Sequence, residues 1–420
     1  MNLARPQRGA AALATTLVLL AAALLAMLFA HRDGLLDQRM TANQWRAARA
    51  FEAAEAGLDW ATAQLNRPGG IDAACLDSAA DTSFRERLLR IDPATGRIDG
   101  ATWASAGAVT PLRAACVLGD AGWSCSCPSA GAATPAVPAG HELAPAFSVE
   151  FAHGGKPGLV RVTSSGCTRF GGACRPGSGT AAEAGSRVEA LLALLPGLRQ
   201  VPSAPLLTPG AVDAATASLG VHHADPATGG IAVHAGRAID APLARITPPA
   251  GTSTANALAG DDDTLAAFGP DALFGTLFGL SKAAWAAQPA VTPFACRGEC
   301  SAALAGAIGA NLEHRLIAVR GDLSLAGPAS FGSAARPVIV VVDGELRLDG
   351  AVRVHGLLYA RRATWNGSAG PGGLLRGALV AEAGVTVTGA PDLVHDAAVL
   401  ASLRATTGSF VRVPGSWRDF

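Results

Sequence analysis

From Ala10 to Ala30 the chain carries no charged residue, and no other feature constrains its folding as much as these 21 positions. A helix of that length crosses the hydrocarbon core of a bilayer once, and the arginines before it, Arg5 and Arg8, would hold its start in the cytoplasm. The helical pattern runs on past His31, Arg32 and Asp33. Leu36, Met40, Ala47, Phe51, Ala54, Leu58, Ala61 and Leu65 recur at intervals of three and four or their sums, until Asn66, Arg67, Pro68, Gly69 and Gly70 end the pattern. The spacing predicts one rod of about 80 Å over residues 10–65, apolar all round in its first half and amphipathic in its second. The stripe of the second half is expected to pack on the chain's own head. A cleaved secretory signal fits worse, because Leu28, Phe29 and Ala30 place a leucine where a cleavage site needs a small residue.

Lys plus Arg equals Asp plus Glu at 33 each, which removes the net charge expected of a nucleic-acid binder, so no nucleic-acid partner is expected. With 50 Gly, 26 Pro and only 16% charged residues, the part beyond the helix reads as turn-rich β structure. All the cysteines, Cys75, Cys116, Cys125, Cys127, Cys167, Cys174, Cys296 and Cys300, lie beyond the apolar run, and their even number fits disulfides in an oxidising compartment. Cys167 with Cys174 and Cys296 with Cys300 are the most local candidate pairs; the connectivity is otherwise open. Zinc is the competing use of the short spacings, but no two-residue knuckle with a matching partner is present.

Residues 66–200 read as a small head. Residues 71–140 are rich in Ala, Gly, Pro and Ser and are expected to form long loops tied by cysteines. Phe147–Phe151 and Leu159–Gly166 alternate around a Gly154–Gly158 turn, as a hairpin with one wet face does, and Arg187–Leu194 adds a third strand or a short helix. Pro202, Pro205 and Pro209 mark a linker. In 201–420 the texture changes. Gly321-Asp-Leu-Ser-Leu-Ala-Gly327 returns as Gly344-Glu-Leu-Arg-Leu-Asp-Gly350 after 23 residues, with a looser copy at Gly384–Gly389. Short Gly-bounded strands at that period predict a β-helix or solenoid-like stack, with a β-sandwich as the alternative. A helical insertion spans about 261–310, where Leu265, Phe268, Leu273, Phe274, Leu277, Phe278 and Leu280 form a stripe expected to cap one end of the stack. Asp261, Asp262 and Asp263 suit its N-terminus and lack the alternating spacing of a calcium loop. The fold class is therefore α+β: a long, partly transmembrane helix with an antiparallel sheet, followed by a solenoid-like domain.

Little points to catalysis. There is no G-x-S-x-G elbow, Walker loop or dinucleotide fingerprint. His222, His223, Asp225 and His234 are dense in metal-type ligands but read better as a polar turn. Asp343, Glu345 and Asp349 could imitate the paired carboxylates of a glycan-cleaving β-helix and read better as solvated strand residues. No enzyme activity, cofactor or metal is expected.

Gln7-Arg8-Gly9 leading directly into the apolar helix, then Gln38-Arg39-Met40 and the run Arg49-Ala-Phe-Glu-Ala-Ala-Glu-Ala-Gly57-Leu58, resembles the N-terminus of type IV pilin-like proteins, most closely the PilX family of minor pilins. The resemblance implies a leader over 1–9, cut by a prepilin peptidase between Gly9 and Ala10, and a pilin-like head over 66–200. The chain departs from major pilins at Ala14, where they carry Glu, and at Ala10, where most begin with Phe. The ending VPGSWRDF, with Trp417 and Phe420 expected to pin the tail in a groove, is similar to that of PilX-family assembly proteins with a long C-terminal β domain. The function implied by the resemblance is that of a minor pilin-like subunit that primes assembly of a type IV pilus or related filament, is incorporated into it and contributes to adhesion. Implied partners are other major and minor pilins, the inner-membrane assembly machinery, the peptidase and inner-membrane lipid. The location implied is the bacterial inner membrane with the C-terminus periplasmic, then the pilus surface. The alternative is a signal-anchored periplasmic β-helix protein that binds or cleaves polysaccharide.

Overall fold

The computed structural model describes residues 8–79, 82–105, 107–139, 144–170, 174, 184–313, 315–367 and 372–420. Helix α1 runs without a break from Arg8 to Leu65. Its described side chains are exposed from Ala11 to Phe29, and burial starts only at Ala50, continuing through Ala53, Ala54, Leu58, Ala61 and Leu65. The expected amphipathic stripe is thus only half used. Leu36, Met40 and Ala47 face solvent, because the sheet beneath the helix ends at Cys167, one residue past Gly166, which sits against Ala50 and Ala54.

That sheet is antiparallel: β1 (Arg113–Gly119), β2 (Gly122–Ser126), β3 (Ala146–His153), β4 (Leu159–Cys167) and β5 (Gly185–Pro196). Its order is tail strand Gly408–Arg412, β5, β4, β3, β1, β2. Alternation decides its faces: Phe147, Val149, Phe151, Val160, Val162, Val188, Ala190 and Leu192 pack under α1, whereas Arg161, Thr163 and Glu189 lie opposite. Two expectations need correction. The 71–140 stretch is not a set of loops: it holds the hairpins Leu89–Ile91 with Ile98–Gly100, Thr102–Ser105 with Ala108–Pro111, and β1 with β2. Small buried residues fill these strands, Ala114 and Cys116 in the core under the helix and Ala115 on the opposite face, so they lack the bulky alternation that marks a strand. The 201–420 unit also gives up its end. Phe410 lies opposite Leu194 and Asp419 opposite Val188, so the last residues complete the head sheet and Phe410 enters the head core.

The rest of the C-terminal region is a curled sheet whose described pairings are all parallel. Inward residues stand in rows. Ile317, Val340, Leu358, Leu379, Leu206 and Val233 are neighbours in register; so are Leu323, Leu346, Ala363, Val385 and Val212, and so are Phe331, Val354, Leu375, Leu393, Val221 and Ile246. All these side chains share one buried core. Register contacts join the residue-206 pass to the residue-379 pass, so the chain enters the sheet in its middle and its last passes dock on its first.

The helical stripe covers a side of this stack and not an end. Leu265, Leu273, Phe274, Leu277, Phe278 and Trp285 pack on Ile339, Val341, Leu357, Tyr359, Ala378 and Val380, the residues alternating with the inward rows. Apolar cover on both faces explains the unbroken Val338–Val342 run.

Candidate functional site

The feature that sets this molecule apart is the first half of α1. Among the described residues one stretch, Ala11–Phe29, is long and apolar enough to cross a membrane, and none of it is buried within the protein. Its only hydroxyl groups turn back on the helix: Thr15 donates to the carbonyls of Ala11 and Ala12 at 3.1 and 2.9 Å, and Thr16 to that of Leu13 at 2.9 Å. These side chains therefore carry their own hydrogen bonds into a medium without water. Gly9 is helical and exposed, with open space where a Cβ would stand, and the Ala10 backbone continues the same helix.

The second half is seated on the head by close backbone approach. A Cβ added to Gly166 would lie 2.0 Å from the Ala50 carbonyl oxygen, and one on Gly57 would lie 2.3 Å from Ser164 Oγ. Glycine on both surfaces lets α1 sink against β4. Trp60 closes the contact, edge-on to Phe84 at 5.4 Å and tilted to Phe147 at 5.5 Å. The tail grips the exposed side: Trp417 meets Phe51 edge-on at 6.4 Å and donates to Glu55 at 2.5 Å, and Arg412 pairs with Asp59 at 2.7 Å. Phe420 stays exposed beside Arg187.

The cysteines meet as Cys75–Cys127, Cys116–Cys125, Cys167–Cys174 and Cys296–Cys300. Cys116 and Cys125 are direct cross-strand partners in the β1–β2 hairpin, and Cys75–Cys127 ties the segment after α1 to the end of β2. These links hold the short strands of 71–127, and each closes a loop of the unfolded chain, worth about 2–4 kcal/mol.

The residues weighed for chemistry are dispersed. His222 pairs with Asp392 at 3.2 Å, His223 is buried and stacked on His395, Asp225 caps a turn through the Ala227 N–H at 2.9 Å, and His234 pairs with Asp262 at 2.8 Å. That histidine contact, ahead of the amides of Leu265 and Thr264, holds the Asp262 carboxyl below the usual carboxylate range. Asp343 is exposed to solvent, whereas Glu345 faces Arg362 at 3.5 Å and Asp349 accepts from Asn366 at 2.8 Å, both engaged as strand residues.

Sequence reasoning missed a buried ionic junction between head and C-terminal region. Helix α2 (Phe84–Leu88) starts with a capping box in which Ser83 and Glu86 bind each other's backbone N–H. From it Arg85 reaches Glu313, 3.6 Å away, and both side chains are buried. The Ser-x-x-Glu spacing was readable in the sequence; the partner more than 200 residues away was not.

Residues 8–59 match the family model described as PilX N-terminal. Among solved structures, the competence-associated pilin ComZ from Thermus thermophilus aligns with 89% of this chain and 97% of its own at 12% identity and a TM-score of 0.23, a score too low to equate the two folds. No curated protein matches. A membrane-length helix with that family segment, seated on an antiparallel sheet, marks a type IV pilin-like subunit. The N-terminal segment, residues 8–59, is similar to that of PilX-family proteins.

Proposed function

We propose that this chain is a low-copy minor subunit that primes a type IV pilus or related filament and rides at or near its end. The observation that carries the reading is the sharp division of α1. Its first half is bare and apolar, so it can leave lipid for a bundle of like helices, while its last turns, from Ala50 to Leu65, are fixed to the head. In this reading residues 1–9 are a leader, the peptidase cuts between Gly9 and Ala10, and the C-terminus faces the periplasm before export. Residues 66–200 with the tail form the head. The curled parallel sheet is a β-solenoid, supported by its in-register rows of Leu, Val and Ile, and projects outward where it can contribute to attachment. Ala14 supports the low copy number: without a carboxylate there, the subunit cannot pair with a neighbour's N-terminal amine in every repeat of an apolar core.

Mass spectrometry of the membrane form, with counting of this subunit in sheared filaments, tests the reading. It expects an N-terminus at Ala10, loss of processing in Gly9→Val, and sparse incorporation. An intact Met1 leader would leave a plain anchor, and abundance equal to the main subunit would overturn the end position.

A further inference from the structure

Among the described residues, the junction around Arg85 holds more positive than negative charge. A cavity of 240 Å³ between α2 and the C-terminal region is lined by Arg85, Arg90, Arg315 and Arg336 against Glu86 and Glu313. Two of these cations are deeply buried: Arg85 is 2% exposed and Arg315 7%. Arg85 donates to the carbonyls of Leu65 and, at 2.9 Å, Gly408, and lies over the Phe410 ring at 4.8 Å; its Nη1 faces a Glu313 carboxylate oxygen at 3.6 Å, beyond hydrogen-bond reach, and makes no hydrogen bond among the described residues. Arg315 donates to Thr406 Oγ1 at 3.1 Å and to the Pro337 carbonyl at 3.5 Å, and its Nε is likewise unpaired among them. Of the two carboxylates, Glu86 is engaged outward by Arg336 at 3.0 Å. Glu313 is the buried counter-charge, and one of its oxygens is taken by the Ser83 hydroxyl.

Burial draws both guanidinium groups below their ordinary range, with Glu313 opposing the shift in each. A buried, incompletely paired guanidinium is destabilising. Arginine forks match the oxygens of a tetrahedral anion in geometry as well as charge. We propose that this cavity binds an oxyanion of the phosphate class, which supplies the missing negative charge and clamps the head to the C-terminal region. The chemistry would serve free phosphate or the phosphate of a small monoester, and the cavity admits either.

The test uses the full chain in detergent, titrated calorimetrically with inorganic phosphate against chloride at equal ionic strength. Saturable binding is expected, and so is a phosphate-dependent rise in Tm. Arg315→Met removes a buried partner and should abolish binding. Arg90→Gln and Arg336→Gln alter only the rim, spare the core, and should each weaken binding about tenfold, the worth of one charge-assisted contact. Glycerol 3-phosphate, titrated in parallel, separates the sources: tighter binding than phosphate supports an ester as the ligand, weaker binding the free ion. No heat beyond chloride at about 10 mM phosphate, below which a specific site should saturate, would overturn the proposal. So would rim variants that both bind as the parent does.

Discussion

Asn66 and Phe410 bind each other as neighbouring strands would: the Asn66 side-chain amide donates to the Phe410 carbonyl at 2.8 Å, and the Phe410 N–H donates to Asn66 Oδ1 at 2.8 Å. The residue that follows the long helix thus pairs the free edge of the tail strand Gly408–Arg412, 344 positions later. An unpaired edge here would leave two backbone groups without partners beside a buried ring. Asn66→Leu should therefore cost about 2–4 kcal/mol, read as a fall in the urea midpoint of the full chain, because both groups then carry the penalty of an unmade bond. A midpoint within error of the parent would show that the tail is held by its β5 ladder alone.

The seat of α1 is a second point of fragility. A side chain at Gly166 would meet the Ala50 carbonyl oxygen at 2.0 Å and the Ala54 nitrogen at 2.4 Å, both backbone atoms that cannot swing away. Gly166→Val should lift the helix from β4, at a cost of about 3 kcal/mol or more. Protease cleavage between residues 45 and 66 should accelerate with it. Gly306→Ala, on the exposed side of the helix Ser301–Ala310 with nothing within 4 Å of its added carbon, is the control and should leave cleavage unchanged.

Local signals carried much of this architecture. The periodicity of Leu58, Ala61 and Leu65 marks the helix face that is buried, and the alternation in Leu159–Gly166 marks a strand with one wet face. The close spacings of Cys167 with Cys174 and Cys296 with Cys300 pointed to the partners that meet. Pairings that depend on tertiary structure stayed hidden. Nothing near Cys75 names Cys127, and Gly408–Arg412 is a short strand that could join any edge until β5 is seen beside it. The stripe Leu273–Phe278 was legible as a helix face, but whether it covers an end or a side depends on the outward row at Ile339, Val341 and Leu357, which alternation cannot reveal when both faces are apolar. The anionic deficit around Arg85 and Arg315 joins three distant segments and has no local signature.

Stability should fall in mild acid through His395. Its ring stacks on His223 at 4.1 Å. Burial first, then the neighbouring His223, hold its pKa below the ordinary 6.5, with Asp225 and Asp396 acting in the opposite sense. The unfolded chain takes up this proton near the ordinary value and the folded chain only at lower pH, so the unfolded state binds more protons in between. Stability is then full above pH 6.5 and is lost as the pH falls below it, toward the folded pKa. His355, shifted the same way by burial and then by Arg376, adds to the slope. Urea midpoints at about pH 7.5, 6.5 and 5.5, spanning the ordinary histidine range, should decline in the parent and decline less in His395→Gln. Equal slopes in the two proteins would assign the acid sensitivity elsewhere.

The parallel register of the C-terminal sheet can be tested at one pair of glycines. Gly356 and Gly377 are partners in adjacent strands, with φ of +147° and +137°. In ordinary extended backbone a Cβ leaves the sheet; here it would point along the ladder, and at Gly377 it would meet the Gly356 carbonyl oxygen at 1.9 Å. Gly377→Ala is opposed twice, by a backbone conformation that side chains rarely adopt and by a contact that only separation of the strands can relieve. It should cost at least about 3 kcal/mol and leave the purified chain prone to aggregation. Gly229 makes the comparison fair, since it also has positive φ, +80°, but with open space around it. Asparagine tolerates that left-handed conformation, so Gly229→Asn should stay within about 1 kcal/mol of the parent. Thermal melts of the two variants side by side decide the matter. If Gly377→Ala melts with Gly229→Asn, the strands Val352–Asn366 and Leu374–Ala381 do not pair in this register, and the stacking of Val354 on Leu375 and of Leu358 on Leu379 fails with it.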